Sequence, residues 1–169
     1  MKMEKEILAE RAKMISGRKD TGNQIDEKKM SVVEFSLIPE IYGFEETYVS
    51  EVFSLGEITE VPGAPSYVMG VINLRGRIVS VLNLKNLFNL KERGLTELNK
   101  VMLLKNDKME FGIVVDSIIG NRKLSITTLS LPPITLDRMA TEYVTGITPD
   151  GLILLNALQL LTSKEIIVN

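Results

Sequence analysis

Between Gly70 and Leu84 the chain reads Gly70-Val71-Ile72-Asn73-Leu74-Arg75-Gly76-Arg77-Ile78-Val79-Ser80-Val81-Leu82-Asn83-Leu84. Two apolar runs flank an Arg-Gly pair, which predicts two strands, Tyr67–Leu74 and Arg77–Leu84, joined by a tight reversal. Gly76 is the turn-forming residue, because it takes positive φ without a Cβ penalty. Arg75 is thereby lifted out of an apolar hairpin on a short, rigid platform. Turn arginines are often simply solvated, but one held this firmly suits recognition better than chemistry.

The rest of the chain has the same short-strand character. Val33, Phe35 and Leu37 alternate with Glu34 and Ser36, a half-buried strand that starts at Ser31 and ends at Pro39. A second segment runs from Gly43 to Phe53. A short strand follows at Ile58–Pro62, closed by the turn cluster Pro62-Gly63-Ala64-Pro65. Leu84–Leu90 suits one or two helical turns.

Lys100–Lys105 and Met109–Ile119 form a second hairpin around Asn106-Asp107-Lys108. In it, Met109, Phe111, Ile113, Val115 and Ile119 share one face, opposite Glu110, Gly112, Val114 and Asp116. Leu131-Pro132-Pro133 breaks the chain. Thr141–Ile147 and Leu152–Leu155 pair around Pro149-Asp150-Gly151, and Asn156–Ser163 closes as a short helix. Many short strands, frequent turns and no long core helix predict a mainly all-β sandwich or small barrels rather than βαβ units. Residues 1–29 stand apart as a charged N-terminal tail, or a short helix carrying Ile7, Leu8, Met14 and Ile15 that docks elsewhere.

Composition closes off most chemistry. The 169 residues include no cysteine and no histidine, which excludes disulfides, thiol nucleophiles, Ser-His-Asp triads, imidazole bases and thiolate or imidazole metal sites. No phosphate-cradling glycine loop occurs. The acids Glu45-Glu46 and Glu4, Glu6, Glu10 match no calcium-loop spacing and read as solvated. Asp116 ends an apolar strand, where it caps a turn or meets a partner, the turn role being favoured. A net charge of −2 gives no field for nucleic acid or an anionic membrane. No apolar run approaches the ~20 residues of a span, so no membrane insertion is expected. The charged N-terminus lacks the apolar core of a secretory signal, which points to a cytoplasmic protein.

Taken in order, these residues resemble the CheW-like domain family of chemotaxis coupling proteins from Val32 to Val168. The opening strand Val33–Leu37 is followed by Tyr42-Gly43-Phe44. Val49-Ser50-Glu51-Val52 is similar to the family's Val-x-Glu-Ile/Val element, and Pro62-Gly63-Ala64-Pro65 to its Pro-x-x-Pro. The central Gly-x-x-Asn-Leu-Arg-Gly-x-Ile is matched by Gly70, Asn73, Leu74, Arg75, Gly76 and Ile78. Gly112, Val115 and Asp116 match the late Gly-x-x-Val-Asp strand, and Glu142–Ile147 the penultimate strand. Departures are Ser80 in place of the usual proline, Asn83-Leu84 in place of Asp-Leu, and the long N-terminal extension ahead of a domain at residues 30–169.

The resemblance implies two small five-stranded SH3-like β-barrels with a groove between them, short helical turns and no catalytic activity, cofactor or metal. It implies an adaptor joining the cytoplasmic tip of methyl-accepting chemoreceptors to the regulatory domain of the histidine kinase CheA. Rings or arrays of this kind would sit at the inner face of the membrane. Carried over by position, the receptor-facing groove comprises Val49, Glu51, Val52, Gly70, Asn73, Leu74 and Arg75. Val49, Val52 and Leu74 would pack on a helical hairpin, and Glu51 and Arg75 would set register or pair with each other. The chain carries no receiver-like or kinase-like segment, so a separate coupling protein is expected rather than part of a larger one. Alternatives are a coupling protein of a chemosensory-like pathway not controlling flagella, and a carboxylate-dependent β-barrel hydrolase, which would need two acids converging in a pocket.

Overall fold

A computed structural model describes residues 28–90, 99–132, 141–164 and 166. The helix expected around Ile7–Ile15 lies outside them. Among the described residues ten strands dominate: β1 (Lys29–Leu37), β2 (Glu40–Glu45), β3 (Val49–Ser54), β4 (Val68–Leu74), β5 (Arg77–Leu82), β6 (Lys100–Lys105), β7 (Glu110–Val115), β8 (Ser117–Ser125), β9 (Val144–Ile147) and β10 (Ile153–Leu155). The helices α1 (Leu84–Leu87) and α2 (Ala157–Thr162) are short, as the sequence predicts. Both begin at an asparagine whose side-chain oxygen accepts a backbone N–H, Asn83 from Lys85 and Asn156 from Gln159. Asn83 therefore does the capping that the aspartate usual at this position would do.

The strands form two five-stranded sheets, β8-β1-β2-β10-β9 and β3-β6-β7-β5-β4. Each sheet makes one small barrel, and in the second an ion pair links Glu51 on β3 to Arg75 beyond β4, the strands at the two ends of the order. Three apolar clusters follow from this geometry. The inner face of the first sheet packs Val32, Leu124, Leu152 and Leu154. That of the second packs Ile72, Leu74, Val79, Val81, Val101, Leu103 and Val114. The largest cluster joins the sheets, with Phe35, Leu37 and Phe44 from one against Met102, Leu104, Phe111, Ile113 and Val115 from the other.

Several boundaries differ from the sequence reading. The Gly43–Phe53 segment is split by a 3-10 turn at Glu46–Tyr48 into β2 and β3, which belong to different sheets. Met109–Ile119 is likewise split into β7 and β8. Phe111, Ile113 and Val115 do share a face, but the opposite face is buried too, since Val114 lines the second barrel. Ile119 leaves the core face because the β1–β8 register shifts there, with Glu34 opposite Gly120 and Phe35 opposite Ile118. The Ile58–Pro62 strand shrinks to one bridge between Thr59 and Val71. β1 begins at Lys29, two residues earlier than expected, because Lys29 pairs with Ser125.

The first barrel is tied at its rim by Arg122 on β8. Its guanidinium donates to both Asp150 oxygens, at 2.9 and 3.1 Å, and lies 3.0 Å from Glu34 on β1. The Arg122 guanidinium first, and the Thr148 hydroxyl second, hold the Asp150 carboxyl well below the ordinary carboxylate range. A carboxyl depressed on folding contributes stability above its unfolded value near pH ~4 and loses it as pH falls further. At neutral pH, Asp150→Asn is thus expected to melt below wild type, and the gap to close below about pH 4. A gap that persists in acid would assign the loss to something other than the charge.

Candidate functional site

The predicted hairpin forms, and its loop is as short as a hairpin allows. Leu74 pairs directly with Arg77, leaving Arg75 and Gly76 between them at φ 50° and 90°. Both values are positive, the signature of a type I′ turn, whose twist matches that of the flanking strands. Left-handed backbone is unfavourable for arginine by about 1–2 kcal/mol. Asn73 helps to hold it there, because its Oδ1 accepts the Gly76 N–H at 2.9 Å. Strain of this kind, fixed by neighbouring bonds, is concentrated at functional sites.

Arg75 reaches across the barrel mouth, where its Nη2 donates to Glu51 Oε2 at 2.5 Å. The pair is open to solvent, with the Arg75 side chain 63% and Glu51 31% exposed. One strand further in, Arg77 forms a two-pronged bond with Glu110 on β7, at 2.7 and 3.1 Å. The Arg77 hydrogen bond, followed by its charge and that of Lys105, holds the Glu110 carboxyl below its ordinary value. The hairpin is therefore pinned at its base by Arg77, while Arg75 sits at the tip.

The seven residues expected in the groove divide in two. Glu51, Val52, Asn73 and Arg75 reach the surface around the barrel mouth, with Val52 40% exposed. Val49 is half-buried against the core between the sheets. Leu74 is 8% exposed and belongs to the interior of the second barrel. Gly70 is buried, and a Cβ placed on it would run into the Thr59 carbonyl and the Ile58 side chain. These two support the site rather than face outward. Gly70→Ala is expected to disrupt the Thr59–Val71 bridge and lower stability by about 2 kcal/mol, read by chemical denaturation. An unchanged midpoint would mean that the Thr59 segment yields freely.

Ile78, 66% exposed on the outer face of β5 opposite Asn73, joins the surface patch. The signal for it was available in the parity of the strand, since Val79 and Val81 point inward and Ile78 must point out. Beside the hairpin a cleft of about 340 Å³ is lined mainly by Val61, Val68, Val71, Leu82 and Phe111. The acid in its lining is Glu110, already engaged by Arg77. No group of three or more acids, histidines or cysteines that could hold a metal occurs among the described residues. No helix among them is long and apolar enough to cross a membrane. The arrangement can recognise a partner by a fixed cation, a nearby carboxylate and a small apolar rim.

Compared with known proteins, residues 31–165 match the model of the CheW-like domain. The chain is 30% identical over 149 residues to a chemotaxis protein CheW of Treponema pallidum, covering 84% of this chain and 88% of that one. It is 32% identical over 134 residues to a chemotaxis protein CheW of Klebsiella aerogenes, covering 78% and 81%. The crystal structure of the scaffolding protein TtCheW from Thermoanaerobacter tengcongensis is similar with a TM-score of 0.71 at 28% identity, over 85% of this chain and 94% of that one.

Proposed function

Because the chain belongs to the CheW-like domain family, we propose that it is a non-catalytic chemotaxis adaptor that couples methyl-accepting chemoreceptors to the histidine kinase CheA. It works in the cytoplasm, at the inner face of the membrane, within receptor arrays. Residues 30–169 form the coupling domain, and residues 1–29 are an extension of it.

The observation that carries this reading is the rim of the second barrel. A strained Arg75, fixed by Asn73 and paired with Glu51, stands beside exposed Val52 and Ile78. Such a surface suits a helical hairpin, whose apolar stripe packs on the rim while its charges meet Arg75 and Glu51. Val49, Gly70 and Leu74 shape that surface from beneath. The regulatory domain of CheA occupies another face, so receptor and kinase bind together. Each contact is small and of moderate affinity, and a lattice adds avidity.

Co-sedimentation with receptor-bearing vesicles tests the adaptor role. The kinase is expected to pellet only when this protein is also present. Kinase that remains in the supernatant with all three components mixed would contradict the proposal.

A further inference from the structure

The chain passes from the second sheet to the first through a single residue, Asp116, between β7 and β8. Its carboxylate is bonded to both sheets. Oδ2 accepts the Ile38 N–H at 2.7 Å, just beyond β1 of the first sheet. Oδ1 accepts from Lys85 Nζ at 3.0 Å, in α1, and from Asn99 Nδ2 at 3.4 Å, ahead of β6 of the second. Its own N–H donates to the Ser36 carbonyl on β1.

Buried polarity is concentrated at this point. Among the described residues the buried polar or charged side chains are Ser36, Asn83, Lys85, Asn99 and Thr148, and all but Thr148 gather here. Ser36 bonds Ser117 at the start of β8, Asn83 caps the turn that carries Lys85, and Asn99 also donates to the Val115 carbonyl. Taking an ammonium out of water is unfavourable by several kcal/mol, and an apolar pair of similar shape often stabilises a fold as well or better. Stability alone therefore does not account for Lys85, whose side chain is 7% exposed.

Directionality does. The rest of the contact between the sheets is mainly apolar among the described residues, built from Phe35, Leu37 and Phe44 against Met102, Ile113 and Val115. Apolar packing is non-directional, and cores of this kind lose a unique arrangement before they lose stability. We infer that the Lys85–Asp116 pair is a positioning latch that fixes the orientation of one barrel on the other. The carboxylate accepts one bond from the first sheet and two from the side of the second, so a rotation between them must break a charge-assisted bond in a half-buried setting.

The absence of cysteine makes a direct test possible, since Ser54→Cys on β3 and Lys123→Cys on β8 place one spin label on each sheet at exposed positions. Lys85→Met alone leaves a half-buried carboxylate without its cation and is expected to destabilise the chain strongly. The informative variant is Lys85→Met with Asp116→Asn, which removes both charges and keeps an acceptor for the Ile38 N–H. It is expected to unfold cooperatively while losing the single narrow inter-label distance of the parent. Ile113→Val, a mild core lesion, is expected to lower the melting temperature and leave the distance narrow. A folded double variant as narrow as the parent would overturn the latch, and so would equal broadening in Ile113→Val. A double variant that fails to fold would overturn it as well, because the pair would then hold the fold rather than its orientation.

Discussion

Arg75→Glu is expected to abolish binding to a chemoreceptor's cytoplasmic tip while the protein melts almost where wild type does. The two halves of this expectation have separate causes. The side chain lies 63% in solvent, and its pair with Glu51 is a surface ion pair of the kind worth about 0–1 kcal/mol. Losing it, with a second carboxylate now beside Glu51, shifts stability by about 1 kcal/mol at most. At an interface the same change replaces a desolvated cation by an anion, which is unfavourable by about 2–5 kcal/mol, or roughly 30-fold to several thousandfold in affinity. Arg75→Gly sharpens the comparison. Glycine relieves the left-handed strain at φ 50°, so this variant is expected to melt at or above wild type and still lose the receptor. A large drop in melting temperature for either variant would make Arg75 a structural residue.

Val115→Asp has the opposite signature. Val115 is fully buried in the core shared by the two sheets, beside Asp116 at their crossing. A carboxylate there finds no cation, because Lys85 is engaged by Asp116. The penalty for an unpaired buried charge is several kcal/mol, comparable to the about 5–15 kcal/mol that holds a domain of this size together. The expected outcome is loss of the cooperative unfolding transition, together with all binding. A variant that stays folded and binds normally would show that this part of the core opens to water.

How far the sequence could reach is clear from individual residues. The Asn73–Gly76 hairpin was legible because its signals are local, a turn glycine between two apolar runs. The left-handed conformation of Arg75 was not, since arginine has no preference for it and the Asn73 side chain supplies the stabilising bond. Phe111, Ile113 and Val115 declared their face by parity, yet Glu110, Gly112 and Asp116 made the other face look polar. That face lines a second barrel, which a strand read in isolation does not reveal. The β7–β8 boundary was missed because the chain changes sheets at one residue without glycine or proline. Leu74 and Gly70 entered the candidate groove by position in a motif, and position carries no information about exposure. The Arg77–Glu110 pair joins residues 33 apart and depends on the parallel pairing of β5 with β7.

Arg75 as a recognition cation is the claim on which the functional account turns. A pull-down addresses it most directly, with immobilised receptor tip fragment in one arm and the regulatory domain of CheA in the other, each challenged with wild type and Arg75→Glu. Wild type is expected to be retained in both arms, and the variant to be retained by the kinase domain and lost from the receptor. Wild type that binds neither partner, or a variant that binds the receptor as well as wild type does, would contradict it.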